Sequence, residues 1–520
     1  MKERIALLRN IAMLSAATYL EMGFGLALGV VVARSLGNIE FGEYAFAVWV
    51  CGTLITLSNN ALTISSIKFI AEARGGDDQP LANALHAAFR RWQGWTCAVV
   101  LGVFLIAMII HPPEEWSGSV LVIATLVVIG AWSRSGYMTM ASIGKGHERF
   151  EVESGALTLS AGANLLLVLA LGYLQGTLVG FVAVYAVCGL IQNLTARITL
   201  RRLRIRPETA RLPGPLAIRL RRHLTLTATL IVISLLGDRT MEVLMLQKYW
   251  DPQVFGFFSI AGALTKGATY VLAGALSSVL LPSMSRAFGS AGKGAVAPML
   301  REAVRMYWFI GLMIAGIGIV AAPGIVRLFY GSQYEGAIPA VVANLVIAGA
   351  SLITAAFYAY QTASDRQGDR IKVAAATWVV NIIIAVALVP PFGLMGAFLS
   401  LGLTKLALVI FSWTFVHRAA GAFMPLARMA RLLAAAAVGV ALGKALEILI
   451  PNTLDFLIAG PVFVLSFLIC TVLFRAWARA DFDLFASVLD RAGSSGRRLA
   501  ALTRRAADRF TTPETARANS

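Results

Sequence analysis

The sequence has 520 residues, of which 58% are hydrophobic and 14% are charged, and its mean hydropathy is +0.74. A soluble globule of this length needs more polar surface than that, so the composition excludes a soluble protein and indicates an integral membrane protein. The formal net charge of +18 does not indicate nucleic-acid binding, because the basic residues recur between apolar runs and not on one soluble face.

The first apolar run follows Lys2, Arg4 and Arg9 and continues to Ala33. It is long enough to cross a bilayer, which takes about 20 residues, so we expect a retained first span and not a cleaved signal peptide. The predicted spans before a basic connector at residues 197–222 are 11–33, 44–64, 92–111, 119–140, 153–173 and 177–196.

Eight further apolar runs follow the connector, at residues 223–247, 254–281, 306–326, 337–360, 372–391, 394–416, 432–450 and 455–474. The sequence therefore predicts an all-α polytopic membrane protein with about 14 transmembrane helices. We expect two pseudo-symmetric six-helix bundles and two C-terminal helices. The predicted boundaries are 1–196 for the first bundle, 197–222 for the connector, 223–416 for the second bundle, 417–474 for the extra helices and 475–520 for a basic amphipathic tail.

The basic residues predict the orientation of these spans. Of the 45 lysines and arginines, 37 fall in the termini, the connector and the loops on the same side, and the opposite loops hold Arg34, Lys248 and Arg327. Because cytoplasmic loops carry the excess of basic residues, both termini are predicted to be cytoplasmic. The tail, with its arginines between helically spaced apolar residues, is expected either to lie on an anionic leaflet or to be a solvated helix.

Two sequence matches indicate an internal repeat. The segment Arg34 to Gly42 aligns with Lys248 to Gly256 at an offset of 214, with the basic residue and the Phe-Gly pair both in register. Asn164 and Gly176 align with Asn381 and Gly393 at an offset of 217. Because each unit has six spans, the two halves enter the membrane in the same orientation, as in parallel-repeat transporters whose substrate site lies between the halves.

Charged residues inside spans are costly and are therefore the default functional candidates. The candidates for cavity cations that contact an anionic substrate are Arg239, Lys266, Lys405 and Arg134. The candidates for binding a coupling proton or sodium ion are Glu21, Asp238 and Glu242.

Structural explanations stay open for each of these charges. At 100° per residue Asp238, Arg239 and Glu242 share one helix face, which fits either a cavity or a neutralised packing cluster. The two lysines could pair with Glu21 or Asp238. Arg134, placed near the cytoplasmic end of its predicted span, could snorkel, as could the pair Lys444 and Glu447 near the outer end of theirs.

The chain lacks the motifs of several other classes. No GxxxxGK[ST], HExxH or GxSxG motif occurs, so neither P-loop ATP hydrolysis nor these hydrolase chemistries are indicated. The four cysteines lie in apolar segments without a CxxC pair. We expect no enzyme activity, no cofactor, no metal site and no nucleic-acid partner.

Several motifs together resemble a known family. They are ARSLGNIEFGEYA, VFGFFSIAGALTKG, SSVLLPSMSRAF, IVRLFYGSQYEGAIPAV and NIIIAVALVPPFGLMGAFLS, in that order over residues 10–416. In order and spacing the chain resembles the polysaccharide-transporter branch of the multidrug/oligosaccharidyl-lipid/polysaccharide (MOP) flippase superfamily.

The resemblance implies a bacterial inner-membrane flippase that moves undecaprenyl-pyrophosphate-linked oligosaccharide outward for O-antigen, capsule or exopolysaccharide assembly. It implies alternating access between two helical bundles, driven by H⁺ or Na⁺, with the bilayer, a polysaccharide polymerase and assembly proteins as partners. A lipid II flippase and a multidrug/cation antiporter of the same superfamily are alternatives. A structural scaffold for polymer assembly is an alternative of a different class.

Overall fold

The computed structural model describes residues 2–113, 116, 119–208, 212–364, 366–421, 423–449, 456–490, 500, 501 and 505. Within these ranges, only the backbone is described at residues 2–18, 238, 270–279, 281–282, 285–286, 289–295, 367, 480, 484–485 and 488–490. The described residues form helices and connecting turns, with no β-strand among them. This all-α architecture is the predicted one, because in a bilayer a helix satisfies its own backbone hydrogen bonds.

The α-helices in chain order are α1 (Lys2–Gly75), α2 (Gln79–Ile110), α3 (Val120–Gly146), α4 (Glu151–Tyr173), α5 (Leu178–Arg202), α6 (Gly214–Leu235), α7 (Met241–Tyr249), α8 (Pro252–Tyr330), α9 (Ile338–Ser351), α10 (Thr354–Ala363), α11 (Gln367–Ala420), α12 (Leu426–Leu449), α13 (Phe456–Leu473) and α14 (Arg479–Asp490). A π-helical turn, Leu236–Thr240, separates α6 from α7, and a 3₁₀ helix, Ser332–Ala337, precedes α9.

Every predicted span falls on these helices, although the boundaries differ. The helices α1, α8 and α11 each cover two predicted spans, and α1 and α11 contain a non-helical residue, Gly37 and Gly393 respectively. By length and hydropathy, ten helical segments in the described part of the chain can cross a membrane. The protein is therefore a multi-pass membrane protein.

The chain folds as two compact units. Unit 1 comprises Met1–Ala263 and Ala374–Leu401, and unit 2 comprises Leu264–Val373 and Gly402–Ser520. The boundaries of the five segments predicted from the sequence stay predictions. The connector itself is short, because α5 continues to Arg202 and α6 begins at Gly214.

Unit 1 contains a close backbone contact between the two repeat-related Phe-Gly pairs. A Cβ atom added at Gly256 would lie 3.3 Å from the Cα atom of Gly42, and one added at Gly42 would overlap the carbonyl group of Pro252. Phe46, four residues after Gly42, meets Phe255 edge-on at a ring-centroid distance of 5.9 Å. Glycine is thus required at position 42 because two backbones touch there.

We expect Gly42→Ala to destabilise the protein by about 1–3 kcal/mol or more, since the new methyl group must displace the backbone at Pro252. The matched control is Gly52→Ala in the same helix, where an added Cβ meets nothing within 4 Å. That change should be neutral or stabilising by about 0.5–1 kcal/mol. Melting temperatures of the purified variants test this pair, and equal melting temperatures would contradict the contact.

Trp250 compensates the break in α11. Pro390 and Pro391 lie inside this helix just before Gly393, whose φ is +52°. The helix therefore cannot pair every carbonyl group there. The Trp250 indole nitrogen lies 3.1 Å from the Val389 oxygen and 3.2 Å from the Pro390 oxygen and donates to them. The indole thus satisfies carbonyl groups that the break leaves without helical partners.

Trp250→Phe should destabilise unit 1 by about 1–3 kcal/mol, because it leaves these carbonyl groups without their donor. Trp95→Phe is the matched control, since Trp95 is 72% exposed and its indole donates no hydrogen bond to a described residue. The melting temperatures of both variants are measured by thermal unfolding in detergent. A Trp250→Phe protein as stable as the Trp95→Phe protein would show that the indole hydrogen bond contributes nothing.

In unit 2 the last two predicted spans pack against α8. Phe309 of α8 stacks on Phe467 of α13, with ring centroids 5.3 Å apart, and Phe467 stacks on Phe463 at 5.7 Å. Gly316 and Gly439 lie against the Phe463 ring, where their lack of a side chain gives the ring room. These helices are thus joined to the unit by a buried aromatic core and not by polar contacts alone.

Part of the predicted amphipathic tail is anchored to unit 2. Arg305 of α8 is 1% exposed, and its guanidinium donates to the two carboxylate oxygens of Asp481 at 2.7 and 2.6 Å. Asp481 also accepts from the Ala478 nitrogen at 2.7 Å, which caps the start of α14. Most of the tail after Asp490 lies outside the described residues.

His147, in the turn between α3 and α4, is expected to make the stability pH-dependent. It is 7% exposed, and burial together with the positive charges of Arg74 and Arg149 lowers its pKa to about 4. The folded protein keeps this histidine neutral, whereas the unfolded chain takes up a proton below about pH 6.5. Stability should therefore fall as the pH drops from about 6.5 towards 4. Melting temperatures at pH 7 and pH 5 should differ less in His147→Gln than in the wild type.

Candidate functional site

The first group of intramembrane charges in unit 1 surrounds Arg134. This residue lies at the middle of α3, because the helix continues to Gly146 and not only to residue 140 as predicted. The six additional residues add about 9 Å of helix beyond the predicted end. Snorkelling to that end is therefore less favourable than the sequence suggested.

Tyr185 of α5 holds the guanidinium of Arg134. The Arg134 Cζ atom lies 4.0 Å from the centroid of the Tyr185 ring, a cation–π contact. Gly189, one turn further along α5, leaves room for the arginine stem, since an added Cβ would lie 3.1 Å from the Arg134 Cγ atom. Arg134 forms no salt bridge with a described residue, and its buried Nε has no hydrogen-bond partner there.

Glu21 of α1 is close enough to Arg134 for an electrostatic interaction, although the two form no salt bridge within 4 Å. The structure therefore brings one predicted acid and one predicted cation into the same region of unit 1. Because the Glu21 carboxylate and the Arg134 guanidinium attract each other without direct contact, the guanidinium can still bind another anion.

The second group contains Glu242 of α7, whose side chain is completely buried. One carboxylate oxygen, Oε1, accepts from the Asn381 amide and from the Ser400 hydroxyl group, each at 2.7 Å. The other oxygen, Oε2, is buried and has no hydrogen-bond donor in the described structure. A buried carboxyl group with one unsatisfied oxygen is costly to keep ionised and is suited to hold a proton.

Arg239 lies close to Glu242 and interacts with it electrostatically. Its backbone φ is +65°, the left-handed region that arginine rarely adopts, and it belongs to the π-helical turn Leu236–Thr240. The guanidinium carbon lies 5.9 Å from the Phe258 ring centroid, and Gly262 leaves space for the Nη1 atom. Such π-turns and strained residues occur frequently at functional sites.

The π-turn changes the predicted arrangement of the charges in this segment. The prediction that Asp238, Arg239 and Glu242 share one face used 100° per residue, which does not hold through a π-turn with a positive φ at Arg239. The side chain of Asp238 lies outside the described part of the structure. Arg239 and Glu242 are nevertheless brought together.

The two predicted lysines lie in unit 2. Lys266 of α8 is exposed and Lys405 of α11 is half-buried, and neither forms a salt bridge with a described residue. Their predicted contact with a ligand stays a prediction. Lys444 and Glu447 instead pair with each other along α12 at 2.7 Å, so this charge pair is internally neutralised.

Sequence reasoning missed Tyr185, Ser400 and Phe258 as parts of these groups, and it used Asn381 only as a marker of the repeat. Ser400 and Asn381 are polar residues in apolar stretches of one helix, and that contrast is a signal. The cation–π partners Tyr185 and Phe258 carry no such signal, because aromatic residues are common in membrane helices.

Two family models match the sequence. A model described as polysaccharide biosynthesis protein matches residues 7–288, and a model described as lipid II flippase MurJ matches residues 162–467. Each match covers more than half of the chain. The chain belongs to the MOP flippase superfamily. The two matches overlap over residues 162–288.

Solved structures of superfamily members have the same fold. A lipid II flippase MurJ in an inward closed conformation is 13% identical with a TM-score of 0.71, covering 89% of this chain and 98% of its own. An inward-facing multidrug resistance MATE family transporter is 14% identical with a TM-score of 0.61, covering 79% and 98%. A MOP superfamily transporter from Pyrococcus furiosus is 14% identical with a TM-score of 0.55, covering 79% and 94%.

No curated protein matches the sequence significantly. The structural identities are low, so these likenesses establish the fold, and the family matches establish a flippase of lipid-linked substrates. Both matched families and the structural neighbours consist of transporters and not of enzymes.

Proposed function

We propose that the protein is a bacterial inner-membrane flippase that moves undecaprenyl-pyrophosphate-linked oligosaccharide from the cytoplasmic to the outer leaflet for surface polysaccharide assembly. The observation that carries the proposal is the environment of Arg134. This cation lies at the middle of α3 against the Tyr185 ring, and it forms no salt bridge with a described carboxylate. A pyrophosphate group is the kind of anion that such a guanidinium binds well.

The proposed orientation places both termini and the arginine-rich connector in the cytoplasm, because 37 of the 45 basic residues lie on that side. Pyrophosphate-linked substrate would then reach the protein from the cytoplasmic leaflet. Arg239, with Lys266 and Lys405 as further cations, is proposed to contact the same headgroup during alternating access.

Ion coupling is proposed to use the buried acids of unit 1. Glu242 is the strongest candidate, since its Oε2 is buried without a donor and its Oε1 is held by Asn381 and Ser400. Protonation would give Oε2 the hydrogen that neutralises the buried charge. Glu21 and Asp238 remain the other candidates, and H⁺ is the proposed ion at Glu242 because a bound proton would give the buried Oε2 atom the hydrogen that it lacks.

Lipid-linked glycans in cells lacking the protein test this proposal, with surface polymer and peptidoglycan precursors measured in parallel. We expect undecaprenyl-linked oligosaccharide to accumulate and surface polysaccharide to be lost, while lipid II stays normal. Complementation with the wild-type chain should restore both pools. Unchanged glycan and lipid II pools would contradict the proposal and leave the multidrug/cation antiporter as the function to test.

The second candidate function is a lipid II flippase. The match of residues 162–467 to the MurJ model and the TM-score of 0.71 to a MurJ structure favour it specifically. Accumulation of lipid II with lysis, in the same experiment, would support this function over polysaccharide export. The polysaccharide biosynthesis match over residues 7–288, which includes Arg134, is the reason that we place polysaccharide export first.

A further inference from the structure

The helix α6, which follows the connector, has two different faces. One face is fixed to α1: the Arg219 guanidinium bonds both carboxylate oxygens of Glu72 at 2.5 and 2.9 Å and lies 5.3 Å from the Phe69 ring centroid. Leu220 is fully buried, and the His223 ring packs edge-on against Phe69 at 5.5 Å. These contacts hold α6 in place on unit 1.

The other face of α6 lines a groove of about 470 Å³. It contributes residues at helical spacing, and α1 and α2 contribute the opposite walls, including Leu57, Leu62, Trp92 and Trp95. Trp95 is 72% exposed, which is typical of tryptophan at a membrane interface. The residues from α6 are Ala217, Arg221, Leu224, Thr225 and Ala228.

Arg221 is the charged residue among those that line the groove. Arg221 lines both this groove and an adjoining cleft of about 510 Å³, where Arg222 lies beside it. Neither arginine forms a salt bridge in the part of the chain that the structure describes. From Arg221 to Ala228 the helix rises about 10 Å, so an apolar channel extends from two unpaired cations.

The hydroxyl and amide groups of the walls are already engaged. The Thr96 hydroxyl donates to the Ser58 oxygen at 2.7 Å, and the Thr225 hydroxyl donates to the Arg221 oxygen at 3.0 Å. The Asn59 amide donates to the Ser135 oxygen at 3.0 Å, and its own oxygen accepts from Thr139 at 2.9 Å. The groove therefore offers an apolar wall and guanidinium groups, but no free set of groups for a sugar.

We propose that this groove is a binding site for an anionic phospholipid of the bilayer, with its phosphate at Arg221 and Arg222 and an acyl chain along Trp92, Trp95 and Leu224. Basic pockets beside membrane helices recognise acidic headgroups in this way, since each arginine near the surface adds a favourable interaction with the phosphate. The lipid would hold α6 against α1 and α2 from its open side. This proposed site is separate from the proposed substrate contacts at Arg134 and Arg239. The proposal does not depend on which lipid-linked substrate the protein carries.

Native mass spectrometry of the purified full-length protein tests the site, with phosphatidylglycerol and phosphatidylcholine of identical acyl chains as probes. We expect the wild type to retain phosphatidylglycerol selectively, and Arg221→Gln/Arg222→Gln to weaken its binding by about tenfold or more. The matched control is Arg202→Gln, an exposed arginine at the end of α5 that lines neither cleft. It should bind like the wild type.

A second variant addresses the apolar part of the groove. Ala228→Trp should fill the channel and reduce retention of the lipid while both arginines remain, and its melting temperature reports whether it folds. Equal binding of the two lipids to the wild type would overturn the proposal, as would undiminished binding to both variants. Displacement of the bound lipid by undecaprenyl-pyrophosphate, or a protein dimer that Ala228→Trp dissociates, would also overturn it in favour of another occupant.

Discussion

Replacement of Arg134 by glutamine is expected to lower surface polysaccharide export about ten- to hundredfold while leaving the protein folded and in the membrane. A charge-assisted hydrogen bond contributes about 1.5–3 kcal/mol, and each 1.4 kcal/mol changes an equilibrium tenfold. The protein should stay folded because Arg134 forms no salt bridge with described residues. Its replacement therefore leaves no described carboxylate without a salt-bridge partner.

Conservative variants separate the charge of Arg134 from its geometry. Arg134→Lys keeps the charge but loses the planar fork that binds a phosphate with two hydrogen bonds, so partial export is expected. Tyr185→Phe keeps the aromatic face below the guanidinium and should export normally. Tyr185→Leu removes that face and should resemble Arg134→Lys.

The control for these variants is a second pair of intramembrane charges. Lys444 and Glu447 pair at 2.7 Å on α12, so replacing both by glutamine removes two charges that neutralise each other. This double variant should export normally. Polymer at the cell surface and undecaprenyl-linked oligosaccharide in the membrane are measured at equal protein levels. Normal export by Arg134→Gln would show that this cation does not contact the substrate.

The sequence predicted the helices well because lipid imposes one rule on all of them. A run of about 20 apolar residues must form a helix to satisfy its backbone, so every predicted span lies on a described helix. The sequence also aligned Gly42 with Gly256, and the structure brings their backbones into contact. Hydropathy placed a connection between the first two spans but did not predict that it is reduced to a kink at Gly37, whose φ and ψ angles are non-helical.

The candidate site was predictable only as a set of charges. The sequence identified Arg134 and Glu242, but the partners of Glu242 lie 139 and 158 residues further along the chain, at Asn381 and Ser400. No periodic pattern relates residues so far apart, so only the fold identifies them. The π-turn at Leu236–Thr240 was equally hidden, because hydrophobic periodicity assumes a regular helix on both sides of Arg239.

Replacement of Glu242 by glutamine is expected to abolish the response of transport to a pH gradient. A difference of one pH unit corresponds to about 1.4 kcal/mol per proton, which changes the equilibrium ratio of substrate between the leaflets about tenfold. Glutamine cannot take up or release that proton. Flipping of a fluorescent polyprenyl-pyrophosphate analogue in proteoliposomes, with and without an imposed pH gradient, should therefore show a gradient-dependent rate for the wild type and a constant rate for Glu242→Gln.

Glutamine is the informative replacement because it preserves the acceptor. Its side-chain oxygen can still accept from Asn381 and Ser400, so stability should change by about 1 kcal/mol at most. Glu242→Leu should instead destabilise unit 1 by about 1–3 kcal/mol for each donor that it leaves buried and unsatisfied. Ser400→Ala removes one donor and should lower the melting temperature while leaving the pH response intact.

These variants distinguish coupling from packing, because the two roles make opposite predictions for Glu242→Gln. If the carboxyl group served only to join α7 to α11 through Asn381 and Ser400, glutamine would support both the fold and the pH response. If it carries the proton, the fold persists and the response is lost. A persisting pH response in Glu242→Gln would transfer the coupling role to Glu21 or Asp238, and the same assay on Glu21→Gln and Asp238→Asn would then decide between them.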